Sequence, residues 1–494
     1  MTLHEMQLLI GDRWVDGGDG DPGVLVSPST GDQIAFVHRA GAAQLDAAVT
    51  AAWEGHRRSA ALTAFERAAL THRVADLIEE RASVIAHDLA LENGKPLASE
   101  AVGEVMAAVE MFRDAAEGVK RLETSIIPTS DADKRVLTIR QPHGVYGLLT
   151  PWNFPATIPS EYLSAGLATG NGMVWKPSEL TPLTAAHIAQ CFIDADVPPG
   201  VVNLICGDPV RIGGGIASHD GITAIGLTGS SRTGAIVAKA AAGKPMLLEL
   251  GGNSPVVIYD DADLDTVISK LGFGCFANAG QICDSVERIL VHRSIHDEVV
   301  AGLVAEAEKV RLGSPFDDET TMGPVISESS AARIDSQLAD AVSQGAEIVA
   351  GGSRASGHPT SLFYQPTVLR GMRPGMTIES EETFGPVAAF MTFESDDEAI
   401  AAANRSTTGL VGSVFTRDIG RAIRTAEALE TGVVNVNETT AYWQPHTPFG
   451  GFSGKRSGIG RLGGRWTLLE MTQVKTINLD IGRGQSAFRS RRTQ

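Results

Sequence analysis

Over the first 45 residues, short apolar runs are broken by Gly17–Gly20 and Pro22–Gly23, a pattern that predicts short strands and turns. From Ala47 to about Arg121 the period lengthens, with Ala, Leu and Val recurring at helical spacing between charged residues. Several amphipathic helices are expected there. The segment Ile127–Gln141 passes from Pro128 and Asp131–Asp133 into an alternating Arg135–Arg140, as an exposed hairpin would. An exposed strand needs a partner, so this hairpin is a candidate contact between subunits, together with the apolar strand Val474–Leu479.

Between residues 143 and 250 the apolar runs become continuous: Val145–Leu149, Met173–Trp175, Val201–Ile205, Ile222–Leu227 and Met246–Leu250 alternate with helical stretches. Such runs predict parallel strands covered on both faces. Thr181–Pro182 marks one helix start, as an N-cap followed by proline. A second α/β series follows from about Asn253 to Asn437, with strands at Val256–Tyr259, Arg288–His292, Val411–Phe415 and Val433–Val436 and helices at Asp297–Val310 and Asp418–Leu429. The tail after Gly482 is polar and basic (Arg483, Arg489, Arg491, Arg492), and disorder is the expectation for it.

Length and charge narrow the function classes. A chain of 494 residues exceeds one core, and about three units are expected. The net charge of −18 argues against general nucleic-acid binding, which requires a basic face. No run of eighteen apolar residues offers a membrane span, and the early charges His4, Glu5, Asp12 and Arg13 do not resemble a secretory leader. The four cysteines, Cys191, Cys206, Cys275 and Cys283, show neither metal-ligand spacing nor the density of a disulfide scaffold. No metal site is expected, and a reducing cytoplasm fits best.

Candidate chemistry begins at Phe276–Cys283, where a glycine-containing turn ends an apolar segment and delivers one cysteine. A nucleophilic thiol needs partial exposure with positive charge or backbone N–H groups nearby, and Gly280 would let the backbone approach a substrate. The plain alternative is a small buried hydrophobe. Glu249, ending an apolar strand before Gly251–Gly252–Asn253, is a candidate general base, or else a cap or ion-pair partner. Asn153, bracketed by prolines, offers an amide to a developing oxyanion, or simply holds its own turn. Lys176 is a surface lysine or a cation for a ribose or phosphate. The Gly229–Ser230…Gly234 loop could place a pyrophosphate at a helix N-terminus, although it is not a G-x-G-x-x-G fingerprint.

Together, Pro151–Trp–Asn–Phe–Pro, Lys176–Pro–Ser–Glu, Thr228–Gly–Ser, Glu249–Leu–Gly–Gly–Asn, Gly280–Gln–Ile–Cys, Glu381–Glu–Thr–Phe–Gly–Pro386, Asn435–Val–Asn and Pro448–Phe–Gly–Gly451 resemble the aldehyde dehydrogenase superfamily in order and spacing, over roughly residues 8 to 480. The resemblance implies an α/β fold with three parts. These are a Rossmann-like NAD-binding domain (1–123 and 143–251, with a return segment 455–475), a catalytic α/β domain (252–454) and a small β oligomerisation element (124–142 and 476–494). It implies a homodimer or homotetramer and a small-molecule aldehyde substrate. Cys283 would be the nucleophile, Glu249 the base and Asn153 the oxyanion donor. NAD, with NADP possible but less favoured, would meet Trp152 in its cleft and Lys176 and Glu179 at the adenine ribose. Gly229, Ser230 and Gly234 would lie near the pyrophosphate and Glu382 with Phe384 near the nicotinamide riboside, and Thr150, Pro151, Ser178, Gly207 and Leu250 complete the expected cofactor-binding set. Ile282, Glu161, Trp443 and Phe449 would line the aldehyde tunnel, Glu161 standing where the family often has an aromatic; core packing is the plain alternative for Trp443 and Phe449. An aromatic or medium-length apolar aldehyde is the expected substrate.

Two departures qualify the resemblance. Five residues, Phe452–Arg456, separate Gly451 from Ser457 where three are common, so the loop near the substrate mouth is expected to differ. Leu462 follows Arg461 where many hydrolytic members carry a second glutamate. Rival readings are a coenzyme-A-acylating or semialdehyde-type dehydrogenase, a cysteine hydrolase using His292, and a non-catalytic binding or structural member. Glu249 counts against the acylating type, the lack of a motif around His292 against the hydrolase, and retention of both Cys283 and Glu249 against the last.

Overall fold

The computed structural model describes residues 4–482, so the basic tail Arg483–Arg492 lies outside the described residues. Two sheets dominate. The first has eight strands in the order Gly458–Ile459, Met246–Leu250, Ala224–Gly229, Val145–Leu149, Gly172–Lys176, Val202–Leu204, Leu8–Ile10 and Arg13–Val15. Its five central strands run parallel, and antiparallel strands close both edges. The continuous apolar runs follow from this position, since Val145–Leu149 and Gly172–Lys176 are buried at every residue. Each large apolar side chain buried there stabilises the fold by about 1.5–3 kcal/mol.

The second sheet orders Glu347–Ala350, Thr367–Arg370, Val387–Phe393, Val286–His292, Ser254–Ile258, Val411–Phe415 and Val433–Val436, all parallel except the first. Each sheet has its own apolar core. Leu462, Leu468 and Met471 come back to the first core, which is how the return segment is anchored. Residues 251–253 carry the chain directly from the carboxyl end of Met246–Leu250 to the amino end of Ser254–Ile258. The carboxyl edge of one sheet is thereby joined to the amino edge of the other, and that junction positions the site.

Several local expectations change. Thr181 precedes the helix Pro182–Asp194, but its hydroxyl makes no cap hydrogen bond. The buried Glu92 caps instead, accepting from Leu183 N at 2.7 Å, Thr184 N at 2.8 Å and the Thr184 hydroxyl at 2.6 Å. The first long helix begins at Ala42. The pattern was interrupted, too, by Gly94–Lys95–Pro96, after which one π-helical turn, Leu97–Ala101, precedes the helix Val102–Val119.

Ile126–Ile127, Lys134–Pro142 and Thr472–Asp480 form a separate three-stranded sheet. The last two pair over nine residues, from Pro142 with Thr472 to Lys134 with Asp480, so the expected boundary at 475/476 falls inside a strand. Ile126 is 78% and Val474 57% exposed on this sheet, and Leu479 is also exposed. Outward apolar residues on an unpaired edge strand favour association. We expect light scattering to give two or four times the chain mass, and Ile126→Lys with Val474→Lys to shift the protein to smaller species. A parent protein of monomer mass at working concentration would contradict this.

Candidate active site

The helix Leu264–Phe276 ends in a tight turn, Ala277–Gly280, that presents Cys283. Asn278, Ala279 and Gly280 all have left-handed backbones, with φ of 47°, 55° and 69°. A non-glycine residue held there costs on the order of 1–3 kcal/mol and needs support from its surroundings. The Glu100 carboxylate supplies some, accepting from Asn278 N at 3.1 Å through each oxygen. The Asn278 amide donates to the carbonyls of Asn153 (3.1 Å) and Gln281 (3.3 Å), and Gln281 Oε1 accepts from Ile326 N at 2.9 Å. Gly280 has a different reason from the one expected: a Cβ there would lie 2.1 Å from the Gly385 carbonyl oxygen. It admits the neighbouring backbone rather than a substrate.

Asn153 sits on the loop after Val145–Leu149, and its Nδ2 donates to Gln281 O at 3.1 Å. One amide hydrogen is used there, and the second remains available to an oxyanion. A buried ion pair clamps this loop. Lys95 Nζ lies 2.6 Å from Glu104 Oε2, each side chain 1% exposed, and also donates to Asn153 O at 2.8 Å. Glu104 Oε1 accepts from Ala156 N at 2.8 Å, and the Lys95 ammonium stands 4.0 Å over the Phe154 ring. The sequence pattern did not single out Lys95, Glu100 or Glu104. Their signal was the Gly–Lys–Pro break followed by acids four residues apart on one helical face.

Glu249 reaches the site from the carboxyl end of its strand, buried, with the Cys283 thiol and Thr228 hydroxyl beside it. Its Oε1 nevertheless makes no hydrogen bond of normal geometry. Burial pushes its carboxyl up to about 8. Of the four free cysteines only Cys283 is partly exposed. Of the two expected aids, positive charge or backbone N–H groups, the first is absent from the cavity lining, where acids stand instead. Burial, then Glu249, Asp284 and Glu382, raise the Cys283 thiol well above its ordinary value. These neighbours disfavour the thiolate, and the Glu249 carboxyl stands within reach of the thiol.

A cavity of about 320 Å³ opens on Cys283 and Glu249, and Glu161, Ile282, Trp443 and Phe449 all line it. The helix Thr157–Thr169 contributes Thr157, Ile158 and Glu161 at helical spacing, and Glu100 and Ala107 come from the opposite helical wall. The loop 452–456, expected at the substrate mouth, is not part of this lining. It folds onto residues 404–409, where Lys455 Nζ donates to Asn404 O at 2.7 Å and Ser406 O at 2.9 Å. Leu462 is buried and bridges Phe449 through paired backbone hydrogen bonds, leaving no second carboxyl there.

The predicted cofactor residues gather along the carboxyl edge of the first sheet and the facing loop of the second. Thr150 accepts from Trp175 Nε1 at 2.8 Å, and Ser178 accepts from Leu180 N at 3.2 Å. Lys176, 6% exposed, reaches Glu179, 50% exposed, at 3.4 Å. Glu179 and Gly207 border an open groove of about 650 Å³. Ser230 caps the helix Ser231–Ala240 through Thr233 N at 3.2 Å, and a Cβ at Gly234 would strike the Leu250 side chain at 2.3 Å. Gly229 closes the preceding strand, and Pro151 leads into the Asn153 loop. Trp152 meets Phe384 edge-on at 5.6 Å, Phe384 having φ of 50°. Glu287, which the sequence pattern also missed, holds that bend by accepting from Thr383 N and Phe384 N, each at 2.9 Å. Glu382 accepts from Gly252 N at 3.2 Å. Among the described residues no group of three or more His, Cys, Asp or Glu is placed to hold a metal ion, and no helix is long and apolar enough to cross a membrane.

Comparison with known proteins gives the same reading. A model of the aldehyde dehydrogenase family matches residues 14–477. The chain is 38% identical over 479 residues to a mitochondrial succinate-semialdehyde dehydrogenase from Arabidopsis thaliana, covering 97% of this chain and 90% of that protein. It is 36% identical over 481 residues to a 3-sulfolactaldehyde dehydrogenase from Pseudomonas putida, covering 97% and 98%. The structure of an NAD-dependent aldehyde dehydrogenase from Sinorhizobium meliloti superposes with a TM-score of 0.94 at 34% identity, covering 98% of this chain and 97% of that one. A reactive-type cysteine and a buried carboxyl share one cavity beside a Rossmann-like sheet, in a chain matched nearly end to end: it belongs to the aldehyde dehydrogenase family.

Proposed function

We propose that the protein oxidises an aldehyde to its carboxylic acid with NAD as hydride acceptor, Cys283 as nucleophile, Glu249 as general base and Asn153 as oxyanion donor. The observation that carries this is the shared cavity in which the Cys283 thiol and the buried Glu249 carboxyl meet. Glu249 takes the thiol proton as Sγ bonds to the carbonyl carbon, and the former carbonyl oxygen, now anionic, accepts the free N–H of Asn153. A bound NAD would supply the hydride acceptor that this carbon needs to become a thioester. Cys283 is left as a thioester. Glu249, its proton passed on, then draws a proton from water as the water oxygen attacks the thioester carbon. The carbon–sulfur bond breaks, the acid leaves, and the thiolate regains its proton.

Residues suited to an adenine dinucleotide stand at and near the groove bordered by Glu179 and Gly207. Glu179 presents a half-exposed carboxylate to pair with two ribose hydroxyls, Lys176 is held beside it, and Ser230 stands at a helix N-terminus suited to phosphate. A phosphate on that ribose would face the Glu179 carboxylate, which favours NAD over NADP. Four free cysteines agree with a reducing compartment, the cytoplasm.

The walls of the cavity favour a medium-length hydrocarbon or aromatic chain, since Phe154, Ile158, Phe273, Ile282, Trp443 and Phe449 supply them. The relatives that act on succinate semialdehyde or 3-sulfolactaldehyde handle anionic tails. No Lys, Arg or His lines this cavity to receive one, so a different tail is assigned to this chain's substrate.

Cys283→Ala should lower NADH formation by roughly a thousandfold or more while calorimetry finds NAD affinity nearly intact; substantial turnover by that variant would refute the nucleophile. Glu249→Gln should give a burst of NADH near one equivalent per competent site, then very slow turnover, with mass spectrometry finding acyl-enzyme at Cys283. A slow first turnover instead would assign Glu249 chiefly to thiol activation. Because Glu249 acts when ionised and its carboxyl stands at about 8, single-turnover deacylation should rise with pH and level off above about 8. Deacylation independent of pH between 6 and 9 would exclude it as the base. Glu179→Ser should improve kcat/KM for NADP relative to NAD by about ten- to a hundredfold. Equal use of both cofactors by the parent would show that Glu179 does not set the choice.

A further inference from the structure

The cavity over Cys283 is acidic in an unusual way. Glu100, Glu104, Glu161, Glu249 and Asp284 line it, and no basic side chain does. Most of these acids have duties already described. Glu104 is paired with Lys95, Glu100 holds Asn278 N and Glu249 stands beside the thiol. Glu161 has none: among the described residues its carboxyl makes no hydrogen bond or ion pair.

Burial and the neighbouring Glu249 push the Glu161 carboxyl up to about 8, as happens when no counter-charge is at hand. A smaller pocket behind it adds another acid, Asp114, itself raised by burial. An acidic carboxyl without a partner, lining the same cavity as the Cys283 thiol and among aromatic walls, lacks what a bound cation would bring. A positive group there would ionise Glu161, pair with it and lie against ring faces that attract cations. A carboxylate or sulfonate tail would instead face several acids at close range in a partly dry site.

We propose that this pocket selects aldehydes whose far end carries a positive charge, an ammonium or quaternary ammonium group on a short hydrocarbon chain, and that Glu161 is the specificity-determining residue that receives it. The inference rests on the dehydrogenase reading above and names the substrate class of that same site. The chain carbons contact the apolar walls, the aldehyde meets Cys283 and the charged end meets Glu161.

Three probes of similar length separate the possibilities: 4-(trimethylammonio)butanal, its neutral isostere 5,5-dimethylhexanal, and succinate semialdehyde. The parent should use the cation with a kcat/KM at least about tenfold above the isostere, with the anion poorest. In Glu161→Gln the ratio of cation to isostere should collapse toward one, and Glu161→Arg should raise the rank of succinate semialdehyde. Butyltrimethylammonium should compete with 5,5-dimethylhexanal in the parent, and butanoate should not, a test that needs no variant. Equal or better use of succinate semialdehyde by the parent, or an unchanged ratio in Glu161→Gln, would overturn the inference. Oxidation of the neutral isostere without a preference for the cation would overturn it and leave the dehydrogenase reading standing. NADH from none of the three would sink both.

Discussion

The site depends most on the buried ion pair between Lys95 and Glu104. Both charges are almost wholly removed from water, which is costly unless every remaining donor and acceptor is used. Here they are used on one target. Lys95 holds the Asn153 carbonyl and Glu104 the Ala156 N–H, so the pair grips the oxyanion loop at two points. The same Asn153 carbonyl receives the Asn278 amide, and the Asn153 amide meets the Gln281 carbonyl. The loop carrying Asn153 and the loop carrying Cys283 are thus held as one unit. Losing either ion would leave an uncompensated charge in the interior, at about 3–5 kcal/mol, and would free both loops together.

Around that unit the electrostatics run against a preformed thiolate. Glu249, Asp284 and Glu382 all disfavour charge on Cys283, and the structure offers a base beside the sulfur in place of a stabilising cation. On the reading proposed above, one carboxyl would serve both halves of the reaction, first for the thiol proton and later for that of water. Leu462, whose side chain is packed against the first core, supplies no second carboxyl there.

Family membership and substrate class are decided at different places. The fold, the joined sheets and the loops bearing Cys283 and Asn153 are shared with relatives that handle anionic aldehydes. Part of the charge of the cavity comes from Glu161, on the helix Thr157–Thr169 and outside both sheets, whereas Glu100 also supports the turn that presents Cys283. On the inference drawn above, that one helical side chain would set the charge preference without entering the chemistry at Cys283.

The sequence by itself located the five parallel strands of the first sheet and four of the seven strands of the second, several to the residue, chiefly because strands buried on both faces are continuously apolar; Glu347–Ala350, Thr367–Arg370 and Val387–Phe393 were not singled out. It also pointed to Cys283, Glu249, Ile282, Glu161, Trp443 and Phe449, which the structure brings to one cavity, and to Asn153 on the adjoining loop. Other matters required the tertiary structure. Glu92 replaced Thr181 as a helix cap, Gly280 proved to make room for Gly385, and the 452–456 loop turned away from the cavity. Lys95, Glu100, Glu104 and Glu287 gained their roles through partners 50 or more residues distant. Local pattern records which face of an element is buried. Which buried polar group will find which partner, and whether a carboxyl such as Glu161 finds none, is settled only when distant segments pack together.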